Sequence, residues 1–444
     1  MLSAIERETN QEMMDYIDQS PTAYHAVEQT AKWLETVGFK HYSLAEIREL
    51  DAGTKGYYTK NGSAFAAFVI GQDPRAGGFR LMGAHTDSPS LKIKPNALVK
   101  SEGILKLNTE VYGGPILNTW FDRPLSLAGR VAVRTAHALS PMIRLVDFHE
   151  PVLILPNVAI HMNRLVNDGV KIERQKVLLP IIAQDSALPA EQTDDSAHEH
   201  DFFTRLLAAR LGVAASDILD YDLYTYEPAA SSFVGFNEEF ISASRLDNLA
   251  SCHAGIRSLI DAAVPEQGIN LVLMTDHEEV GSGSKQGAHS TLLRDLLELL
   301  VLATGGDRSD FLASFDKSFM VSCDLAHAVH PNYSEYSDVN NRPQINGGPV
   351  IKGAAGQSYT SDADSTAAFM AICADAGVPC QRFVNRSDLR GGSTIGPISS
   401  QMVPVRSVDI GTAIWGMHSI RETAGSKDQH YMVKALTTYF KTEI

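Results

Sequence analysis

The stretch Leu271–Ser284, LVLMTDHEEVGSGS, constrains this chain more than any other. Its first half, Leu271 to Met274, is a short apolar run of the kind that forms a buried strand. Asp276, His277, Glu278 and Glu279 then arrive together, and a glycine- and serine-rich turn follows. Acids crowded at the mouth of a buried strand repel one another, and burial raises the cost of each charge. A metal ion offsets both penalties. Adjacent glutamates also allow a division of labour, one side chain on a metal and its neighbour free to move protons. The remaining ligands must come from distant parts of the chain.

The order of elements indicates where to look. Ile5, Met13, Met14 and Ile17 make a helical stripe that ends at Ser20-Pro21, and a second helix runs from about Thr22 to Gly38. Strands are predicted over 64–70 and 79–84. From about Leu91 to Phe233 the texture becomes short alternating segments, among them LKIKP, GILKLNTEV, LAGRVAVRT and MIRLVDF. Gly, Pro, Asn and Asp separate them, which reads as an all-β region. Within it 184–200 reads as an exposed polar loop and 202–211 as a helix. Strand–helix alternation returns from about Gly235, with strands over 269–274, 319–323, 381–384 and 408–415. Helices are expected over 246–263, 292–304, 365–376 and 427–442. The expected fold class is α/β: residues 1–92 and 235–444 form one discontinuous domain, and residues 93–234 form an inserted β-rich domain.

In open α/β sheets ligands gather beyond the carboxyl ends of the strands. His85 and Asp87 follow one predicted strand, Glu278 and Glu279 another, Asp324 a third, and His418 a fourth; Asp247 opens a helix. Imidazoles and carboxylates on one edge suit zinc, which takes nitrogen and oxygen donors and leaves a position for water in a catalytic site. Taken singly, each residue has a structural explanation. Asp87 can cap a turn, Asp247 can cap a helix, His85 can be an N-terminal helix or loop residue, and His418 can be a satisfied polar residue. The repeated strand-then-ligand pattern favours metal.

A formal net charge of −15 removes the electrostatic basis for binding nucleic acid or an anionic membrane. Cys252, Cys323, Cys373 and Cys380 form no C-x-x-C pair, and no apolar run reaches transmembrane length. The N-terminus lacks the apolar segment of a secretory signal. A soluble, cytoplasmic protein is expected.

Several segments resemble the aspartyl aminopeptidase family of di-zinc metallo-aminopeptidases. They are Ser20-Pro21-Thr22, GAHTDSP (83–89), SRLDN (244–248), DHEEVGS (276–282), DLAHAVHPNY (324–333), GPVIK (348–352), GGSTIGP (391–397) and MHSIRE (417–422). The resemblance implies a zinc-exopeptidase-like mixed sheet carrying the catalytic site, and an inserted dimerisation domain. It implies two zinc ions, with cobalt or manganese able to occupy similar sites. Asp247 would bridge them, His85 and Asp324 would complete one site, and Glu279 and His418 the other. Glu278 would be the general base acting on a hydroxide shared by the metals, and Asp87 would hydrogen-bond His85 and fix its tautomer. The Asp247–Asn248 peptide bond is expected to be cis, as in the wider group.

The implied substrates are peptides with an N-terminal Asp or Glu, with Lys352 pairing to the acidic side chain. The implied assembly is a homo-oligomer of dimers building a tetrahedral dodecamer, in which His161 reaches a neighbour's site. After Tyr333 the chain carries Ser334-Glu335-Tyr336-Ser337-Asp338, where many family members have a lysine–histidine–glutamate segment. A related di-zinc exopeptidase of broad or neutral specificity is one alternative. A non-catalytic assembly protein that keeps the fold is another.

Overall fold

The computed structural model describes residues 2–169, 171–187, 202–389 and 391–443. Most of the polar 184–200 stretch lies outside the described residues. The chain divides into two compact units. The first holds 1–88, 230–417 and 421–444, and the second holds 89–229 with 418–420. The sequence placed the divisions at 92/93 and 234/235; the short 418–420 segment had no sequence signal.

The first unit is built on a nine-stranded sheet. Its strands, in spatial order, are Lys40–His41, Lys55–Lys60, Ala64–Ile70, Ile269–Thr275, Phe79–His85, Phe319–Cys323, Arg406–Gly411, Val350–Gly353 and Gln381–Val384. The four from Ile269–Thr275 to Arg406–Gly411 run parallel, so their carboxyl ends share one edge. Ala64–Ile70, Phe79–His85, Ile269–Thr275 and Phe319–Cys323 are buried along their whole length, as strands covered on both faces must be.

Side chains alternate between two cores, following the period of a strand. Phe65, Ala67 and Val69 face a core shared with the helices Ala4–Asp18, Leu246–Asp261, Ala363–Ala376 and Asp428–Lys441. Ala66, Phe68 and Ile70 face the other, shared with Leu292–Ala303 and Arg308–Ser314. The result is a layered helix–sheet–helix unit. A five-stranded sheet adds Ser232–Val234, Phe240–Ala243, Glu422–Gly425, Ala413–Trp415 and Ala326–His327.

The 408–415 segment, expected as one strand, is two. Arg406–Gly411 belongs to the large sheet and Ala413–Trp415 to the five-stranded one. Gly411 ends the first of them, where a Cβ would lie 1.9 Å from the Asp324 carbonyl oxygen.

The second unit is a seven-stranded antiparallel sheet. Ile218–Tyr226 pairs with both Ser90–Ser101 and Pro124–Val133, which closes most of the strands into a ring. Leu91, Leu107, Leu125, Leu127 and Leu223 fill it together with Phe203 and Leu207 of the helix Phe202–Leu211. Among the described residues, no helix is long and apolar enough to cross a membrane.

Candidate metal centre

Three parallel strands deliver the candidate residues. Phe79–His85 ends on His85, Ile269–Thr275 leads through Asp276 and His277 to Glu278 and Glu279, and Phe319–Cys323 leads directly to Asp324. Asp247 stands in the first turn of Leu246–Asp261, where the helix departs from helical geometry. The Asp247–Asn248 bond is cis. His85, Asp247 and Glu279 each offer a ligand atom, all within 4.8 Å of one another. Residues separated by more than 150 positions in the chain therefore meet at one point.

Buried His85 is oriented from both sides of its ring. Nδ1 lies 3.0 Å from the Asp87 carbonyl oxygen and 3.4 Å from Asp87 Oδ1. A carbonyl oxygen only accepts, so Nδ1 carries a proton and Nε2 holds the lone pair of the neutral ring. Nε2 lies 3.5 Å from Asp247 Oδ1 and 3.6 Å from Asp324 Oδ1. Burial works against a charged ring. The carboxylates of Asp247, Asp324 and Asp87 nonetheless hold its pKa well above the ordinary histidine value. The charge that favours an imidazolium here equally favours a cation.

Asp87 does more than orient His85. Its Oδ1 accepts the Glu278 N–H and its Oδ2 the Glu279 N–H, each at 3.1 Å. One carboxylate thus fixes the backbone of both Glu278 and Glu279. No sequence spacing announced this clamp, because its partners are some 190 positions away. Asp87→Ala is expected to weaken zinc binding about 10- to 100-fold. Competition against a chelator measures this, and an unchanged affinity would show the clamp to be dispensable.

The bridging candidate is held by its main chain. Asp247 N donates to Glu422 Oε2 at 3.0 Å, and Ser88 Oγ donates to the Asp247 carbonyl oxygen at 2.7 Å. Asn248 Nδ2 donates to the Cys323 carbonyl oxygen at 2.8 Å. Arg245 donates to the carbonyl oxygens of Ser20 and Ile17. The segments SPT, GAHTDSP, SRLDN and MHSIRE therefore hold one another.

Glu278 is largely buried. Burial is the largest cause pushing its carboxyl up to about 7; His85 opposes, and Asp324, Asp87 and Asp247 push the same way as burial. A base poised near neutral pH suits proton transfer. Asp276 and His277 build the turn. Asp276 Oδ1 accepts the His277 N–H at 2.7 Å, His277 Nδ1 pairs with Ser284 Oγ at 2.8 Å, and Gln286 reaches Asp276 Oδ2 at 3.3 Å.

Lys352 is only 2% exposed. Its Nζ donates to the carbonyl oxygens of Asp324 (2.8 Å) and Leu325 (3.2 Å) and lies 3.6 Å from Asp324 Oδ2. It also sits 5.2 Å from the centre of the Tyr359 ring. Burial opposes the ammonium, but Asp324, Tyr359, Asp409 and Asp247 raise its pKa above the ordinary lysine value. It is a fixed positive charge beside a candidate ligand.

Two candidates belong to the second unit. His418 has its Nδ1 3.0 Å from the Gly114 carbonyl oxygen, which places the proton of its neutral ring on Nδ1 and the lone pair on Nε2. His161 is exposed in a turn after Ala159.

The donors fit zinc. Two carboxylates and one imidazole come within 4.8 Å, and further acids surround them. Nitrogen and oxygen donors of this kind form catalytic zinc sites. Comparison with known proteins agrees. The model of the family described as aminopeptidase I zinc metalloprotease (M18) matches residues 16–440. A probable M18 family aminopeptidase 2 of Clostridium novyi (strain NT) is 47% identical over 431 residues, covering 97% of this chain and 98% of that protein. The cryo-EM structure of the Ape4 and Nbr1 complex contains a chain that is 35% identical with a TM-score of 0.95, covering 98% of this chain and 86% of that one. The mApe1 dodecamer of S. cerevisiae matches at 25% identity and a TM-score of 0.84, covering 99% and 97%. With a matching family model over nearly its whole length and a close relative end to end, the chain belongs to the M18 family of zinc metalloprotease aminopeptidases.

Proposed function

We propose that this M18 aminopeptidase holds two zinc ions and removes Asp or Glu from the N-termini of peptides. The observation that carries the reading is the meeting of His85, Asp247 and Glu279 within 4.8 Å, with Glu278 beside them. Asp247 is assigned to both ions, His85 and Asp324 to one, and Glu279 and His418 to the other. Cobalt or manganese is an alternative occupant of the same donors.

Zinc, when bound, supplies Lewis acidity for the scissile carbonyl and the attacking water. Glu278 takes a proton from that water at its carboxylate and returns it to the leaving amine nitrogen. Asp87 keeps both partners in register through the Glu278 and Glu279 N–H groups. The excess of carboxylates attracts the substrate's α-ammonium group, which favours release of a terminal residue over internal cleavage.

Lys352, held charged and rigid, is the group assigned to an acidic substrate side chain. A neutral or broad preference is the second reading, favoured by one observation: two Nζ hydrogens already serve main-chain oxygens. A panel of peptides differing only in the N-terminal residue tests both. The expected result is cleavage of Asp or Glu at least about tenfold faster than Ala, a ratio lost in Lys352→Met, with all activity removed by a chelator. Activity that survives chelation would overturn the mechanism, and equal rates across the panel would favour the second reading.

The β-rich second unit is assigned to dimerisation, and dimers to a tetrahedral dodecamer. Supporting this is the mApe1 dodecamer among the relatives and the exposure of Val158, Ile160, Met162 and Leu165 around His161. Apolar side chains clustered in one surface segment mark an interface. His161 is assigned to the site of a neighbouring copy. His161→Ala is expected to lower kcat about 10²-fold with zinc content unchanged, measured on the assembled oligomer; full activity would remove it from the site. The four cysteines are all free thiols, which supports a reducing, cytoplasmic setting.

A further inference from the structure

Asp409 is an acid that the mechanism leaves unused. It stands in the Arg406–Gly411 strand, 0% exposed, directly opposite Lys352 in the antiparallel register. Its Oδ2 accepts the Thr360 N–H at 2.6 Å and its Oδ1 accepts the Thr394 hydroxyl at 2.7 Å. Its own N–H donates to Ser361 Oγ at 2.9 Å. A Cβ on Gly396 would lie 2.6 Å from each carboxylate oxygen, so position 396 closes on this group without room for a side chain.

The two segments that Asp409 holds are also tied to each other. Ser393 Oγ donates to the Ser358 carbonyl oxygen at 3.2 Å, and the Thr360 and Ser407 hydroxyls pair at 2.6 Å. Between Ser358 and Thr360 sits Tyr359, 4% exposed, with its ring against the Lys352 ammonium. Asp409 thus fixes the segment that covers Lys352, and its charge faces that lysine across the strand pair.

We propose that Asp409 is a positioning residue for the substrate's N-terminal side chain: by pinning Thr360 and Thr394 it seats Tyr359 over Lys352 and sets where the ammonium stands. It touches neither zinc nor the reacting atoms. The proposal rests on the reading of Lys352 as the group that receives an acidic side chain.

The test uses the zinc-loaded enzyme and peptides beginning with Glu or Ala. Asp409→Ala is expected to raise KM for the Glu peptide about 10- to 100-fold, while kcat and zinc content stay near wild type and KM for the Ala peptide moves about threefold or less. Asp409→Asn keeps an acceptor for the Thr360 N–H and should recover most of that loss. Should Asp409→Ala fail to fold, Thr394→Val removes one tie and no charge, and its KM for the Glu peptide should rise about three- to tenfold. A parallel fall in kcat on both peptides, or an unchanged KM in Thr394→Val, overturns the proposal. Wild type alone tests the prior reading. If it favours Glu no more than Ala, Lys352 is not the acid-binding group, and the positioning role then stands or falls on whether KM for its preferred residue rises in Asp409→Ala.

Discussion

Glu278→Gln should bind zinc as wild type does and lose about 10²- to 10⁴-fold in kcat, the usual contribution of a general acid–base group. The glutamine amide matches the carboxylate in shape but cannot take a proton at neutral pH. The residue's backbone is held by Asp87 Oδ1 at 3.1 Å, so the substitution leaves the neighbouring Glu279 in place. A stability difference should accompany the kinetic one in metal-free protein. The folded pKa of about 7 lies above the ordinary 4.5, so the folded state binds this proton more tightly than the unfolded chain. The stability from that proton is present below pH 4.5 and is lost as pH rises through 7. The glutamine variant has no such loss. Chelated Glu278→Gln should therefore exceed chelated wild type in stability by on the order of 3 kcal/mol at pH 8, with the gap closing towards pH 4. Thermal denaturation across that range measures it. Near-normal turnover in the variant would remove Glu278 from the mechanism.

Asp247→Ala should lose both metals, because its carboxylate is assigned to each of them. The Lewis acidity that goes with them contributes several kcal/mol, so activity should fall by at least about 10³- to 10⁴-fold. The local fold should survive, since Glu422 and Ser88 hold the Asp247 main chain and Cys323 holds the Asn248 side chain, none of them the carboxylate that is removed. His418→Ala provides the contrast. It leaves His85, Asp247 and Asp324 untouched, so zinc content should fall from two ions to one. Elemental analysis of the dialysed proteins checks both. Two ions retained in Asp247→Ala would exclude a shared ligand at this position.

Much of the fold is legible in residue pattern. Strands with unbroken apolar runs, such as 64–70 and 319–323, stand where the sequence puts them, because burial on both faces leaves little choice of residue. The helix Phe202–Leu211 also stands where its pattern predicts. The Arg406–Gly411 and Ala413–Trp415 strands read as one, since an apolar run does not record which sheet each half joins. The helix Ile395–Met402 was hidden by Gly396 and Pro397, poor helix formers that sit in its first turn. The five-stranded sheet was also missed, for its strands are short and come from distant segments.

At the site, the residue types after strand ends were legible, and His85, Asp247 and Glu279 do meet. The arrangement that holds them was not. Asp87 on the Glu278 and Glu279 backbone, Glu422 on the Asp247 N–H and Asp409 opposite Lys352 are contacts to main chain or across strands. Such contacts leave no spacing in a sequence, because any acid brought to the right place by the fold can make them.

We propose that one carboxylate, Asp247, joins two zinc ions in this site. Anomalous diffraction at the zinc edge from crystals of zinc-loaded enzyme tests it most directly. Two peaks per chain are expected, both within coordination distance of Asp247, one beside His85 and Asp324 and the other beside Glu279 and His418. A single peak, or a second peak without Asp247 among its ligands, would contradict it.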